Sequence, residues 1–231
     1  MTQLIVWFIH IPLEFCQIWL WAIDFLAMTT LSLETLESLL QPYLPAGVPA
    51  GVAEKLSAYL DLLLKWNART NLTAIRQPEE IVRRHFGESL FAGVLVTQGA
   101  ETMLDLGSGG GFPGIPIQIL RPEIAVTLAE SQGKKAAFLR EAVRTLGLKT
   151  EVWADRAEKL AGSFDVVAMR AVDKMQGMIP VAEELVRPGG HLMLLTTRAQ
   201  VEALNRSAKS VVQLPGSVEG VVALFHVEQA G

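Results

Sequence analysis

The stretch from residue 102 to residue 116 constrains the fold of this chain more than any other part of the sequence. Its first five residues, Thr-Met-Leu-Asp-Leu, form the short apolar run of a buried β-strand, and glycines follow at positions 107, 109, 110, 111 and 114. Glycine adopts backbone conformations that other residues avoid, so it lets a turn approach a ligand closely. A strand, a glycine-rich turn and a helix in this order predict a cradle for a nucleoside-like ligand.

Short apolar runs alternate with helical patterns after residue 101. Helical stretches separate five runs of strand character, at 102–106, 124–129, 150–154, 164–169 and 191–196. This alternation is typical of βαβ units, and it predicts a doubly wound α/β fold with a mostly parallel sheet. Two further runs, 211–214 and 220–227, are expected to form an antiparallel closing pair, and Arg187-Pro-Gly-Gly190 is expected to be a turn.

The chain divides into three predicted parts. Residues 1–28 form a hydrophobic extension, 29–98 a helical cap with leucines at helical spacing, and 99–231 the α/β domain. The extension has no Lys or Arg and contains polar interruptions, so it resembles neither a secretory signal nor a regular membrane helix. It is either a product of an early start codon or an amphipathic or membrane-associating segment.

Composition excludes several classes of function. The net charge of −4 means that any contact with nucleic acid must come from a local basic patch. The only cysteine, Cys16, excludes a disulfide framework and a zinc site built on several cysteines, and it fits a reducing compartment. We therefore expect a cytoplasmic protein without a metal and without an obligate protein partner.

Asp105, just ahead of the glycines, distinguishes between possible cofactors. A dinucleotide places its pyrophosphate on the helix N-terminus, and a carboxylate at this point would repel it. S-Adenosylmethionine carries a positive ammonium group and a sulfonium and has no phosphate, so it fits better. Glu130 ends the second strand, where a carboxylate can accept the ribose hydroxyls of either cofactor. The residues thus favour a methyl donor, and an NAD(P)-dependent oxidoreductase is the alternative.

Some methyl acceptors conflict with the sequence. Methylation of pyrimidine carbon 5 needs a cysteine nucleophile, which the predicted α/β domain lacks. The fourth strand ends in Met169-Arg170-Ala171, without the Asn/Asp-Pro-Pro-aromatic loop common in amino-group methyltransferases. The planar guanidinium of Arg170 suits a polyanion or a carboxylate, because its donors bind both in bidentate fashion.

Six motifs together resemble the ribosomal RNA small-subunit methyltransferase G family, also known as glucose-inhibited division protein B. They are Asn71-Leu-Thr-Ala-Ile75, Arg84-His85-x-x-Glu88-Ser-Leu90, Asp105-Leu-Gly-Ser-Gly-Gly-Gly-Phe-Pro-Gly-Ile-Pro116, Lys134-Lys135-x-x-Phe138-Leu139, Arg156-Ala157-Glu158, and Phe164-Asp165-x-x-x-x-Arg170-Ala171. The resemblance implies a bacterial enzyme with the class I S-adenosylmethionine-dependent methyltransferase fold that methylates N7 of a guanine in 16S rRNA or a small-subunit particle.

The resemblance also implies which residues form the site. The donor pocket would contain Gly107, Phe112, Ala157, Glu158 and Arg170, with Glu130 at the ribose and Asp105, Gly109 and Gly111 in the turn. Arg170 and Lys134 would position the acceptor without a general base, because guanine N7 has no proton to remove. Candidates for RNA binding are Lys134, Lys135, Arg156, Arg84 and His85. Met169 stands where the family usually has serine. A donor-binding or RNA-binding regulator without turnover is the second alternative.

Overall fold

The computed structural model describes residues 30–170 and 175–228. The predicted hydrophobic extension, 1–28, lies outside the described residues, as do 171–174 at the end of the fourth strand and 229–231 at the carboxyl end. No helix in the described ranges is both long enough and apolar enough to cross a membrane.

The amino-terminal part consists of helices, as the leucine spacing predicts. These are α1 (Leu33–Leu40), α2 (Val52–Thr70), α3 (Pro78–Ile81), a π-helical segment (Val82–Gly87) and α4 (Glu88–Leu95). Ser32 caps α1, where its hydroxyl accepts a hydrogen bond from the backbone N–H of Thr35 at 3.1 Å. The π-helical segment carries Arg84 and His85, so the sequence motif around these residues coincides with an interruption of regular α-helix.

The remaining elements form a seven-stranded sheet with flanking helices. They are β1 (Thr102–Leu106), α5 (Gly114–Leu120), β2 (Ala125–Ala129), α6 (Gly133–Thr145), β3 (Glu151–Trp153), a 3₁₀ turn (Ala157–Lys159), β4 (Phe164–Arg170), α7 (Met175–Glu184), β5 (Val186–Thr197), α8 (Arg198–Ala203), β6 (Ser210–Gln213) and β7 (Gly220–His226). The strand order is β3-β2-β1-β4-β5-β7-β6. Pairing is parallel from β3 to β5 and antiparallel at β7 and β6, which confirms the predicted doubly wound sheet with an antiparallel closing pair.

Each face of the sheet is buried under a different set of helices. Alternate residues of the central strands, such as Met103 and Val166, share one hydrophobic core with α5, α6 and the amino-terminal helices. Their neighbours, such as Leu104 and Val167, share a second core with residues of α7 and α8. The cap therefore packs on the same face of the sheet as α5 and α6.

The structure corrects the predicted turn at 187–190. β5 already begins at Val186, and its pairing with β4 is irregular between Phe164 and Val166. Gly189 has a φ of +78°, which lets the chain kink without leaving the sheet. The Pro-Gly-Gly sequence thus marks an irregularity within a strand rather than a connection before it.

The glycine-rich turn is clamped between the sheet and helix α2. The hydroxyl of Tyr59, on α2, donates a hydrogen bond to the carbonyl oxygen of Gly110. Gly111 has a φ of +88°, and a Cβ at this position would lie 2.5 Å from the Ile115 side chain and 2.6 Å from the Tyr59 hydroxyl. Glycine is required there for two reasons, the backbone conformation and the lack of space.

Replacing Gly111 by alanine is expected to lower the free energy of unfolding by about 2–5 kcal/mol, because the left-handed conformation costs about 1–2 kcal/mol and overpacking about 1–3 kcal/mol. Gly147→Ala is the matched control, since Gly147 has a φ of +60° and open space around its Cβ position. The free energy of unfolding of Gly147→Ala is expected to fall only by the cost of the left-handed conformation, about 1–2 kcal/mol. Urea unfolding measures both. Equal losses in the two variants would contradict the tight packing of the turn.

Candidate active site

A cavity of about 430 Å³ lies at the carboxyl ends of β1, β2 and β4. It brings together seven of the residues that the sequence predicts for the site: Gly107, Gly109, Glu130, Lys135, Arg156, Ala157 and Glu158. Leu106, Ala129, Met169 and Met178 add apolar surface. A cavity with a mainly apolar wall and a few polar groups is what a nucleoside-containing ligand requires. We call this space the donor cavity.

Glu130 shapes the polar side of the donor cavity. Its two carboxylate oxygens accept hydrogen bonds from the backbone N–H groups of Gly109, at 3.0 Å, and Gln132, at 2.8 Å. These bonds fix the carboxylate between the glycine-rich turn and the start of α6. A carboxylate has about four acceptor directions, so each oxygen keeps capacity to accept a hydroxyl group, such as those of a ribose.

Asp105 lies behind the glycine-rich turn and does not line the donor cavity. It is fully buried, and its Oδ2 accepts the backbone N–H of Gly114 at 2.9 Å. Burial raises the pKa of Asp105 to about 7, against the opposing effect of the hydrogen bond from the Gly114 N–H. The predicted direct contact with a cationic donor therefore differs from the observed role, in which Asp105 holds the N-terminus of α5 against β1.

Phe112 and Gly111 also lie away from the donor cavity. The ring of Phe112 stacks on His85, with 4.5 Å between the ring centroids, and lies 5.7 Å from Tyr59 and 6.0 Å from Phe86. Phe112 is buried in this aromatic cluster beneath the cap. The family resemblance implies a place for Phe112 in the donor pocket. In the structure its ring packs against the cap helices and joins the glycine-rich turn to them.

A second cavity, of about 580 Å³, lies between the cap, the ends of β4 and β5, and the turn before β7. Its walls include Tyr43, Arg84, His85, Glu88 and Arg170 from the cap side and from β4. Residues 195–197 and 214–220 form the opposite side. Met169 lines the donor cavity and the next residue, Arg170, lines this one. Both cavities therefore reach the carboxyl end of β4, where consecutive side chains point to opposite faces of the strand. We call the second one the cap cavity.

Glu88 organises the charges in the cap cavity. Its Oε2 pairs with the Arg170 guanidinium at 2.5 Å, and its Oε1 pairs with Arg84 at 3.3 Å. Arg170 also donates to the backbone carbonyl of Arg84 and, at 3.5 Å, to the hydroxyl of Ser89. Burial raises the pKa of Glu88, and the two arginines oppose this effect. Burial likewise lowers the pKa of Arg170, against the attraction of Glu88, yet an arginine stays protonated in proteins.

His85 does not have the charge that an RNA contact through phosphate would need. Its Nε2 lies 2.6 Å from the Thr73 hydroxyl, and its buried Nδ1 has no hydrogen-bond partner in the part of the chain that the structure describes. Burial, and then the charges of Arg170 and Arg84, lower the pKa of His85 to about 3. The imidazole is neutral at physiological pH and packs beside Phe112, so the prediction of His85 as an RNA-binding residue remains only for contacts that need no charge.

The predicted basic residues are separated by the structure. Lys135 and Arg156 line the donor cavity, whereas Lys134 is exposed and lines neither cavity described above. The structure does not bring Lys134 and Arg170 to the same cavity, so their joint positioning of the acceptor stays a prediction. No group of residues suited to a metal ion occurs within 30–170 and 175–228.

Sequence reasoning misses three residues of this region. Glu88 belongs to one of the six motifs but receives no role from it, and neither Tyr43 nor Tyr59 is singled out as a site residue. The motif Arg84-His85-x-x-Glu88 does contain a signal, since a glutamate four residues after an arginine on a helix can pair with it. Nothing in the linear sequence places Glu88 next to Arg170, 82 residues later.

Comparison with protein families and curated proteins gives a consistent result. The family model for rRNA small subunit methyltransferase G matches residues 52–229. The chain is similar to the ribosomal RNA small subunit methyltransferase G of Stenotrophomonas maltophilia strain K279a, with 48% identity over 152 residues that cover 64% of this chain and 71% of that protein. It is also similar to the protein of the same name from Xanthomonas axonopodis pv. citri, with 47% identity over 149 residues that cover 63% and 69%.

Solved structures share the fold at low sequence identity. The Pyrococcus horikoshii protein TYW2, in complex with MeSAdo, matches with a TM-score of 0.54 and 16% identity over 63% of both chains. A putative O-methyltransferase from Klebsiella pneumoniae matches with a TM-score of 0.53 and 15% identity over 84% of this chain and 98% of that one. These matches confirm the predicted α/β fold of the class I methyltransferase type.

The neutral state of His85 generates a prediction about pH. In a nuclear magnetic resonance titration, the ring of His85 is expected to stay neutral from pH 8 down to about pH 4, and in urea it is expected to titrate near about 6.5. The unfolded chain thus binds this proton first. The contribution of His85 to the free energy of unfolding has its full value above about pH 6.5. It falls by up to about 1.4 kcal/mol per pH unit as the pH drops towards 3.

Asp105 acts in the opposite direction, because its raised pKa makes the folded state hold a proton between the ordinary carboxyl pKa and about 7. The contribution of His85 is therefore measured as the difference between the unfolding free energies of the native protein and His85→Asn across this pH range. A His85 ring that titrates near pH 6 in the folded protein would contradict the buried, neutral imidazole.

Proposed function

The chain belongs to the rRNA small subunit methyltransferase G family, and from this premise we propose that it methylates N7 of one guanine in 16S rRNA with S-adenosylmethionine as the donor. The observation that carries the proposal is the pair of cavities at the carboxyl end of β4, one suited to a nucleoside-containing donor and one lined by arginines. The substrate is the small-subunit rRNA or the particle that contains it, so we expect the enzyme to act in the cytoplasm.

The donor cavity offers groups for each part of S-adenosylmethionine. Glu130 can accept the ribose hydroxyls, Gly107 and Gly109 leave backbone surface open to the ligand, and Met169 and Met178 offer apolar contact for the adenine. Methionine in place of the family's serine at position 169 thus adds apolar wall without closing the cavity. S-Adenosylmethionine supplies a methyl group on a positively charged sulfur, and the S–CH₃ electron pair remains on sulfur when the guanine N7 lone pair forms the new bond.

The acceptor needs alignment and no general base. Guanine N7 carries no proton, so the reaction requires only that the base be held in line with the methyl group, and positioning can supply most of the acceleration. Arginine commonly donates to both O6 and N7 of guanine. A donor on N7 would block its lone pair, so Arg170 must contact O6 or a phosphate and leave N7 free.

The wider RNA contact is proposed for exposed basic residues at the mouths of the two cavities. Arg84 has 62% of its side chain exposed, and Arg156 is exposed beside the donor cavity. Lys134 and Lys135 stand at the start of α6, where Lys135 reaches the donor cavity. We propose that the cap (29–98) and the α/β domain (99–231) bind RNA jointly, since Arg84 and Arg156 belong to different parts. Binding through phosphates weakens as salt is added.

Transfer of a labelled methyl group to undermethylated small-subunit RNA tests the function. Label that appears in the RNA only with active protein supports it. Donor binding without transfer to either naked RNA or small-subunit particles would instead support a regulator that binds donor or RNA without turnover. Binding of NAD(H) and no binding of S-adenosylmethionine would favour the oxidoreductase alternative.

Glu130→Gln is expected to weaken donor binding about tenfold, because hydrogen bonds to charged groups contribute about 1.5–3 kcal/mol and the amide keeps the shape of the side chain. Isothermal titration calorimetry with S-adenosylmethionine measures the change. Glu123→Gln removes a carboxylate that pairs with Arg121 and lines neither cavity, so its donor affinity should be native. An unchanged affinity in Glu130→Gln would remove Glu130 from the donor site.

Arg170→Lys is expected to lower kcat/KM for methyl transfer about 100-fold, or about 2.7 kcal/mol, because lysine keeps the charge and loses the planar set of donors. Donor affinity should stay within about twofold, as Arg170 lies in the cap cavity. Arg206→Lys is the control, since Arg206 pairs with Glu183 and lines neither the donor cavity nor the cap cavity. An equal loss of donor affinity and of turnover in Arg170→Lys would place Arg170 in donor binding instead.

A further inference from the structure

We infer that the cap cavity is the pocket for the target guanine and that Glu88 recognises the base by accepting hydrogen bonds from its N1–H and N2 amino group. This inference rests on the proposed function, which it extends from a reaction to a residue that selects the base. Glu88 lies in the wall of the cap cavity beside Arg170, which the proposed function already places against the guanine O6 or a phosphate.

The size and position of the cap cavity fit a nucleotide turned out of its RNA. Its volume of about 580 Å³ falls within the range of about 300–1,000 Å³ that small-molecule sites occupy. It reaches the carboxyl end of β4 at Arg170, the residue that follows Met169 of the donor cavity in the sequence. Enzymes that modify a base must reach it outside its stack, and contacts in such a pocket offset the cost of unstacking.

The free acceptor directions of Glu88 match the donors of guanine. A carboxylate offers about four lone-pair directions on two oxygens. Arg170 uses one direction on Oε2 and Arg84 one on Oε1, so each oxygen retains one. Guanine presents two parallel donors, N1–H and the N2 amino group, on its Watson–Crick edge. The two remaining directions can accept both donors at once.

The same carboxylate discriminates against other bases. Adenine presents an unprotonated N1 at this edge, and its lone pair would face the Glu88 carboxylate. A site built for hydrogen-bond donors rejects an analogue without them strongly, because its own buried polar groups then lose their partners. Glu88 is suited to such a role because only 9% of its side chain is exposed. Water can therefore replace a missing donor only in part.

Glu88 also lies where charge changes during the reaction. Methylation at N7 without loss of a proton leaves a positive charge on the guanine ring, and hydrogen bonds from its Watson–Crick edge to a carboxylate strengthen as that charge develops. The two arginines favour the ionised carboxylate against the effect of burial, and the ring of Tyr43 packs against Gly87 beside it, where a Cβ would lie 2.5 Å from the Tyr43 ring. Glu88 is thus held in place before the base enters.

A combined change in enzyme and RNA tests this inference. Small-subunit RNA is assembled by ligation with guanine or inosine at the methylated position, and is presented naked and in a reconstituted particle. Inosine keeps N7, O6 and N1–H and lacks only the N2 amino group. We expect inosine to lower kcat/KM at least about tenfold in the native enzyme, as for a lost hydrogen bond to a charged acceptor. In Glu88→Gln the inosine penalty should shrink to less than about threefold.

The design separates recognition from support of Arg170. If Glu88 only positions Arg170, Glu88→Gln lowers transfer to guanine and to inosine by the same factor, and this result overturns the inference. Glu183→Gln, which removes a carboxylate from an ion pair with Arg206, is the matched control and should keep the native inosine penalty. If Glu88→Gln shows no turnover, the affinities for the guanine-containing and the inosine-containing RNA are compared instead, in the presence of S-adenosylhomocysteine.

Failure of the proposed function has a different signature. In that case the native enzyme transfers no methyl group to the guanine-containing RNA in either form, and both proposals fall. Equal inosine penalties in the native enzyme and in Glu88→Gln, together with normal transfer to guanine, overturn the role of Glu88 alone.

Discussion

The buried ion pair between Arg170 and Glu88 joins the two halves of the site. Arg170 ends the fourth strand of the sheet, and Glu88 begins the last helix of the cap, so the pair connects the donor side to the cap across 82 residues of sequence. A buried pair contributes little net stability, because desolvation offsets attraction, whereas removing one partner leaves an uncompensated charge. We therefore interpret the pair as a functional constraint. It fixes the position of the arginine, and it places a carboxylate in the wall of a cavity.

The glycine-rich turn is held in place by residues of the cap and of β1. Tyr59 bonds to Gly110, Phe112 stacks on the neutral His85, and Asp105 holds the start of α5 from beneath. The turn is thus fixed from its buried side, while Gly107, Gly109 and Glu130 face the donor cavity on the other. A ligand that binds there meets a surface whose shape is already set, which limits the conformational entropy lost on binding.

The sequence predicts the parts of this protein that depend on local pattern. Apolar alternation predicts the parallel sheet and its antiparallel closing pair, and the strand–turn–helix motif predicts the donor cavity around Gly107 and Glu130. Local pattern does not reveal which side of the turn a residue occupies, so Asp105 and Phe112 are predicted at the ligand and lie on the buried side. It also does not reveal contacts between distant segments. The pairing of Glu88 with Arg170, and the neutrality of His85 between two arginines, arise only when the cap packs on the sheet.

The central claim is that the methyl group goes to N7 of a guanine, and chemical mapping of the modified position tests it most directly. Undermethylated small-subunit particles are incubated with the protein and S-adenosylmethionine, and the RNA is treated with borohydride and then aniline, which breaks the chain at N7-methylguanosine. The account predicts new, enzyme-dependent cleavage at a single guanine. Methyl label in the RNA without such cleavage would show that another atom is the acceptor, and would contradict the account.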